Sequence, residues 1–179
     1  MRVRNIILVG PMGVGKTTVG KALARILSMS FVDCDVELEQ RTGVSVTTIF
    51  EIEGEEGFRR RESELLKEIV ERKGYVVATG GGVIMCEENR AAIRSSGLVI
   101  YLTAPVNKLL KRTRNNRNRP LLQTTNPEKT LNDLMVVRDP LYRSVADLVI
   151  RVDDRSPQSL AHRIHETIES HENASSQPR

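Results

Sequence analysis

Residues 10–17 read Gly-Pro-Met-Gly-Val-Gly-Lys-Thr, which matches the pattern G-x4-G-K-[ST]. Glycines at that spacing let the backbone close around oxygen atoms, so that successive amides point at a phosphate group. Lys16 is then placed to bridge β- and γ-phosphates, and Thr17 offers a hydroxyl to Mg²⁺. Two carboxylates follow in Phe31-Val32-Asp33-Cys34-Asp35. Residues two apart on a strand share a face, so the spacing predicts both acids at one strand end. One would support the Mg²⁺ shell and the other would meet an acceptor hydroxyl. The alternative is a helix cap at Asp35 with Asp33 a solvated charge.

Other residues carry chemistry only in combination. Arg59 follows Gly57-Phe58, and Glu62 lies one helical turn on, where it can orient a guanidinium. Arginine presents a planar fork that suits a carboxylate, although a salt-bridged solvated helix face explains the same run. Gly80-Gly81-Gly82 closes an apolar stretch, which permits close backbone approach to a ligand ring or simply a tight turn. Arg119 stands in a basic segment where a closing loop would bring it to a transferring phosphoryl group. Arg138, in Arg-Asp-Pro-Leu-Tyr, is read at a helix end.

The elements that must hold these groups show in the apolar pattern. Short apolar runs alternate with amphipathic segments, the signature of an α/β fold with a parallel sheet. Candidate strands cover residues 5–10, 30–33, 75–79, 98–102 and 147–152. A first helix starts near Lys16 and sets Val19, Leu23, Ile26 and Leu27 on one face. The same period recurs over 59–72 with Leu65, Leu66, Ile69 and Val70. Asn126-Pro127 and Ser156-Pro157 each pair a capping side chain with a proline suited to a first helical turn. Segments 35–61 and 114–126 lack clear periodicity and are read as candidate moving parts. Residues 172–179 are polar and read as a disordered tail.

Composition narrows the function classes. The 179 residues suit one domain, expected over 1–171. No apolar run approaches the roughly 20 residues of a membrane helix, and 6–9 is too short for a signal core, so a cytoplasmic protein is expected. The two cysteines, Cys34 and Cys86, have no metal-type spacing. A net charge of +4 reflects a basic run in which Lys108, Lys111, Arg112, Arg114, Arg117 and Arg119 stand without an acid. That run leaves a nucleotide-gated nucleic-acid module as a competing reading, but aromatics at 3% and the absence of Trp leave no platform for stacking bases. A GTPase would need Asn-Lys-x-Asp, which is absent. A motor would need an apolar strand ending in an acid, but the run 75–78 ends in Thr-Gly-Gly-Gly.

The ordered set of Gly10–Thr17, Asp33-Cys-Asp35, Phe58-Arg59-x-x-Glu62, Gly80–Gly82, Arg119-Pro-Leu-Leu and Arg138-x-Pro-Leu-Tyr resembles shikimate kinase, over roughly residues 4–170. The resemblance implies a three-layer P-loop kinase fold of the nucleoside-monophosphate-kinase-like type. That fold has a five-stranded parallel sheet flanked by helices, a substrate-binding segment near 34–61 and a lid near 112–125. It implies ATP held by Gly13, Val14, Gly15, Lys16, Thr17 and Thr18, with Arg112, Arg119 and Arg155 beside the nucleotide. Thr17 and Asp33 would hold one Mg²⁺ per subunit. Shikimate would meet Asp35, Arg59, Gly80, Gly81, Gly82 and Arg138, and catalysis would rest on Lys16, Asp35 and Arg119. A monomer acting on small molecules, with neither nucleic acid nor membrane as partner, is the implied state. Another small-molecule kinase on the same scaffold, for gluconate or a nucleotide, is the nearest competing enzyme.

Overall fold

The computed structural model describes residues 4–113 and 124–175. Its centre is β1 (Asn5–Val9), whose five residues are all buried. A strand covered on both faces has no polar side, which is why 5–9 reads as a continuous apolar run after Asn5. Ile6 and Leu8 point to a core completed by α1 (Lys16–Ile26) and α7 (Pro157–Ser175) through Val19, Leu23, Leu160 and Ile164. Ile7 and Val9 point to a second core built from α3 (Val46–Glu71), α4 (Glu87–Ser96) and α6 (Pro127–Val145), with Phe58, Leu66, Ile93 and Tyr142.

The other strands are β2 (Ser30–Asp33), β3 (Tyr75–Ala78), β4 (Gly97–Thr103) and β5 (Leu148–Arg151), and all ladders are parallel. The sheet order is β2-β3-β1-β4-β5. The chain leaves β1 on one side for β2 and β3 and on the other for β4 and β5, so a crevice opens beyond the carboxyl end of β1, where such sheets bind ligands. All five strands lie within a residue or two of their sequence-based bounds.

The helices contain the differences. Segment 35–61 is helical throughout most of its length. Asp33 caps α2 (Cys34–Thr42) by accepting from the amides of Asp35 at 3.0 Å and Val36 at 3.3 Å. Ser45 caps α3 through the amide of Thr48 at 3.1 Å. Gly54 then breaks α3 with φ 70° and ψ −177°, a conformation essentially reserved for glycine. The break resets the helical phase and erases the periodicity that the sequence pattern needs.

Asp35 lies in the first turn of α2, so it does not share a strand face with Asp33. Arg138 sits inside α6 rather than at its end. Pro140 falls within the helix, which continues to Val145 because Tyr142 and Val145 are buried. Asn126 caps α6 through the amide of Lys129 at 3.0 Å, with Pro127 in the first turn as expected. Helix α7 continues to Ser175, so residues 172–175 are helical rather than tail, and 176–179 lie outside the described residues. Of the segment 112–125, residues 112–113 close α5 (Val106–Thr113), while 114–123, including Arg119, lie outside the described residues.

Candidate active site

The loop between β1 and α1 turns on Gly10, Gly13 and Gly15, with φ values of 144°, 76° and 102°. Among the described residues no side chain caps α1, whose N-cap is Gly15, so its first amides face the loop. Lys16 lies along this loop, its Nζ donating to the carbonyls of Gly10 at 2.6 Å and Pro11 at 2.9 Å. The Thr17 hydroxyl donates to Asp33 Oδ2 at 2.5 Å, while Oδ1 of the same carboxylate caps α2. The cap thus falls on Asp33, not on Asp35 as the alternative sequence reading had it, and the same acid stands beside the Thr17 oxygen.

A cavity of about 410 Å³ lies over the loop. Residues 13–18 form its floor, Asp33, Asp35, Thr79 and Gly81 one wall, and Arg112, Val152, Arg155 and Leu160 the other. Arg112 reaches the carbonyl of Val14 at 3.3 Å. Arg155 pairs with Asp153 at 3.2 Å. The hard oxygens of Thr17 and Asp33 suit Mg²⁺, which takes few protein ligands and completes its shell with water and phosphate oxygens. Among the described residues no cluster of three His, Cys, Asp or Glu could form a cage by itself.

A second cavity, of about 760 Å³, is lined by Arg59, Gly82 and Arg138 together with Met85, Cys86, Leu134 and Val137. Arg59 projects from α3 and is anchored twice. Its Nη1 donates to Glu62 at 2.7 Å, and its Nη2 pairs with Glu55 at 3.1 Å. Glu62 is only 3% exposed, and its Oε1 has no hydrogen-bond partner among the described residues. Burial pushes the Glu62 carboxyl up; the Arg59 guanidinium pulls it back, and Asp35 pushes it further up. Arg138 is 5% exposed and sets Nη1 3.5 Å from the carbonyl of Gly81, which also accepts a hydrogen bond from the Tyr142 hydroxyl. The Tyr142 ring stacks on Tyr101 with centroids 4.9 Å apart, and Tyr101 donates to Asp139 at 2.6 Å.

The three glycines each have a steric reason. A Cβ on Gly80 would run into Glu62 and come within 3.1 Å of Asp35, one on Gly81 would lie 3.3 Å from the amide nitrogen of Met12, and one on Gly82 would fall on the Arg59 guanidinium. The triplet therefore lets α2, α3 and the phosphate loop converge on one turn. The structure gathers residues 13–18, Asp33, Asp35, Gly81, Arg112 and Arg155 around one cavity, and Arg59, Gly82 and Arg138 around the next. Gly80 packs between Asp35 and Glu62. Glu62 was legible only as an orienting acid. The walls supplied by Thr79, Met85, Cys86, Val152 and Leu160 carry no local motif, because apolar lining residues look like any core residue.

Comparison with known proteins identifies the family. The family model described as shikimate kinase matches residues 12–169. A shikimate kinase of Aromatoleum aromaticum is 52% identical over 165 residues, covering 92% of this chain and 94% of that protein. One from Bordetella avium is 59% identical over 145 residues, covering 81% of this chain and 69% of that protein. The structure of shikimate kinase from Acinetobacter baumannii in complex with shikimate superposes with a TM-score of 0.92 at 49% identity, covering 94% of each chain. A gluconokinase from Sinorhizobium meliloti, with a TM-score of 0.55 at 16% identity, shares the fold alone. With a family model spanning residues 12–169 and relatives more than 50% identical over most of its length, this protein belongs to the shikimate kinase family.

Proposed function

We propose that the chain transfers the γ-phosphoryl group of ATP to the 3-hydroxyl of shikimate across Asp35, yielding ADP and shikimate 3-phosphate. The observation that carries this reading is a pair of arginines, the half-buried Arg59 and the buried Arg138, set around Gly81 and Gly82 beside the phosphate loop. Their guanidinium groups hold the shikimate carboxylate and reject neutral polyols, since a desolvated arginine needs an anion. The acceptor ring then lies against residues 80–82.

Gly13–Thr18 wrap the phosphates, and Lys16 moves from the loop carbonyls to the β- and γ-phosphates. Thr17 and Asp33 hold one Mg²⁺, which when bound offsets phosphate charge. Arg112 and Arg155 flank the nucleotide base. Asp35 accepts a hydrogen bond from the 3-hydroxyl and aligns it for attack. The new bond forms between that oxygen and Pγ, the bond from Pγ to the ADP oxygen breaks, and the hydroxyl proton passes to Asp35 or to solvent. Arg119, whose part rests on the family resemblance, stabilises the transferring group. Positioning and charge neutralisation supply most of the acceleration in such sites. Among the described residues no helix is long and apolar enough to cross a membrane, and we place the protein in the cytoplasm as a monomer.

The test is release of ADP from ATP and Mg²⁺ with and without shikimate, alongside gluconate and nucleoside monophosphates as acceptors. Shikimate is expected to raise release by orders of magnitude, with the other acceptors at background. Equal release without shikimate, or an equal response to gluconate, overturns the assignment.

A further inference from the structure

The second cavity is larger than the acceptor needs. At about 760 Å³ it falls in the ~300–1,000 Å³ range of pockets that enclose drug-sized ligands. Its shape follows α6. Thr130, Leu134, Val137 and Arg138 line it from one face of that helix, so it extends about 12 Å from Arg138 toward the helix start at about 1.5 Å per residue. The end near Arg138 also carries Arg59 and Gly82. Beyond that end the lining carries the apolar Met85, Leu134 and Val137 together with Cys86, interspersed with the polar Ser63, Asn89, Thr130 and Asp133. Met85 is 44% exposed and Val137 52% exposed. Large apolar side chains exposed together at the edge of a cavity mark a binding surface.

We propose that this apolar compartment binds monocarboxylates bearing an apolar ring, which inhibit the enzyme by displacing shikimate. The inference rests on the reading of Arg59 and Arg138 as the carboxylate clamp. The carboxylate of such a ligand takes the place of the shikimate carboxylate, and its apolar body extends along α6 over Leu134 and Val137. Glu56 and Asp133 on the lining repel a second negative charge, which sets the class at monocarboxylates. The nucleotide cavity shares none of the compartment's apolar residues, so inhibition is competitive toward shikimate and not toward ATP.

The full-length protein is assayed for shikimate-dependent ADP release in the presence of benzoate, biphenyl-3-carboxylate, biphenyl-4-carboxylate and the neutral biphenyl-4-methanol. At least one biphenyl acid is expected to bind about tenfold or more tightly than benzoate, in competition with shikimate. The neutral alcohol is expected to be inert at the same concentrations. In the double variant Met85→Ser/Val137→Ser the preference for the biphenyl acid over benzoate falls below about threefold, benzoate serving as the internal reference. A second measurement needs no variant: the same biphenyl acid slows alkylation of Cys86 by N-ethylmaleimide about fivefold or more, and benzoate does not. The proposal is overturned if neither biphenyl acid outbinds benzoate, if the double variant keeps the full preference, if the alcohol inhibits equally, or if Cys86 labelling is unaffected. Failure of shikimate itself to drive ADP release would overturn the functional reading, whereas normal turnover with a flat inhibitor series would overturn the compartment alone.

Discussion

Alanine at Gly82 displaces the Arg59 guanidinium while leaving the arginine itself in the sequence. Gly82 has φ −97° and ψ −6°, which any residue adopts, so the substitution brings no backbone strain. A methyl group there meets Cζ, Nη1 and Nη2 of Arg59 well inside contact distance. The guanidinium ends a flexible side chain, so it moves and the fold does not. Moving it breaks the 2.7 Å bond to Glu62 and takes the fork from its position by the glycine turn. A charge-assisted hydrogen bond contributes about 1.5–3 kcal/mol, which is roughly a 10- to 150-fold change in an equilibrium constant. Gly82 is absent from the lining of the nucleotide cavity, so nucleotide binding should hold. Calorimetric titrations with shikimate and, separately, with a non-hydrolysable ATP analogue read both effects. Shikimate affinity is expected to fall about 10-fold or more while nucleotide affinity stays within about twofold. If shikimate binds Gly82→Ala as it binds the parent protein, Arg59 does not hold the carboxylate.

Three further perturbations address other parts of the site. Thr17→Val removes the 2.5 Å bond to Asp33 and one proposed oxygen for Mg²⁺; the Mg²⁺ concentration for half-maximal activity should rise about tenfold with a stability loss of about 1 kcal/mol, and an unchanged Mg²⁺ requirement would rule out the assignment. Glu62 has a raised carboxyl pKa in the folded protein, first through burial, so the native state binds a proton that the unfolded chain releases. Stability from this group is complete below the ordinary carboxylate range and declines as pH rises through the native value. Urea unfolding across roughly pH 4–8 should therefore show a downward slope that Glu62→Gln lacks, and parallel curves would refute the buried-acid account. At Gly54 an added Cβ would meet open space but φ is 70°, so Gly54→Ala should cost roughly 1–3 kcal/mol through backbone strain alone, measured as a lower urea midpoint; equal midpoints would contradict it.

The sheet and the phosphate loop were legible because each depends on local pattern. A buried parallel strand announces itself as an apolar run, and a glycine-wrapped loop has a fixed spacing. The stretch from 35 to 61 was not, because Gly54 shifts the phase of α3 and Ile52, just before the break, is 76% exposed. The sequence pattern misplaces Arg138 for a similar reason. Pro140 looks like a stop, yet Tyr142 is fully buried and stacked on Tyr101, and tertiary packing carries α6 past the proline. The sequence pattern offered a cap at Asp35, but α2 starts at Cys34, so Asp33 is the cap and its two carboxylate oxygens divide between the helix amides and Thr17. Locally, Gly80–Gly82 read only as close backbone approach to a ligand or a tight turn. The packing that requires the outer two lies in side chains from Glu62 and Arg59, some twenty residues earlier in the chain, and for Gly81 in the Met12 amide of the phosphate loop.

The alternation along β1 has a consequence for how this enzyme tolerates change. Ile6 and Leu8 belong to the packing that backs the phosphate loop, while Ile7 and Val9 belong to the packing that backs Phe58 and Tyr142. Neighbouring side chains on a single strand thus support opposite chemical partners. Substitutions that loosen one layer can reshape the choice of acceptor while the phosphate donor is still gripped, so the two specificities of this scaffold are free to drift apart one layer at a time.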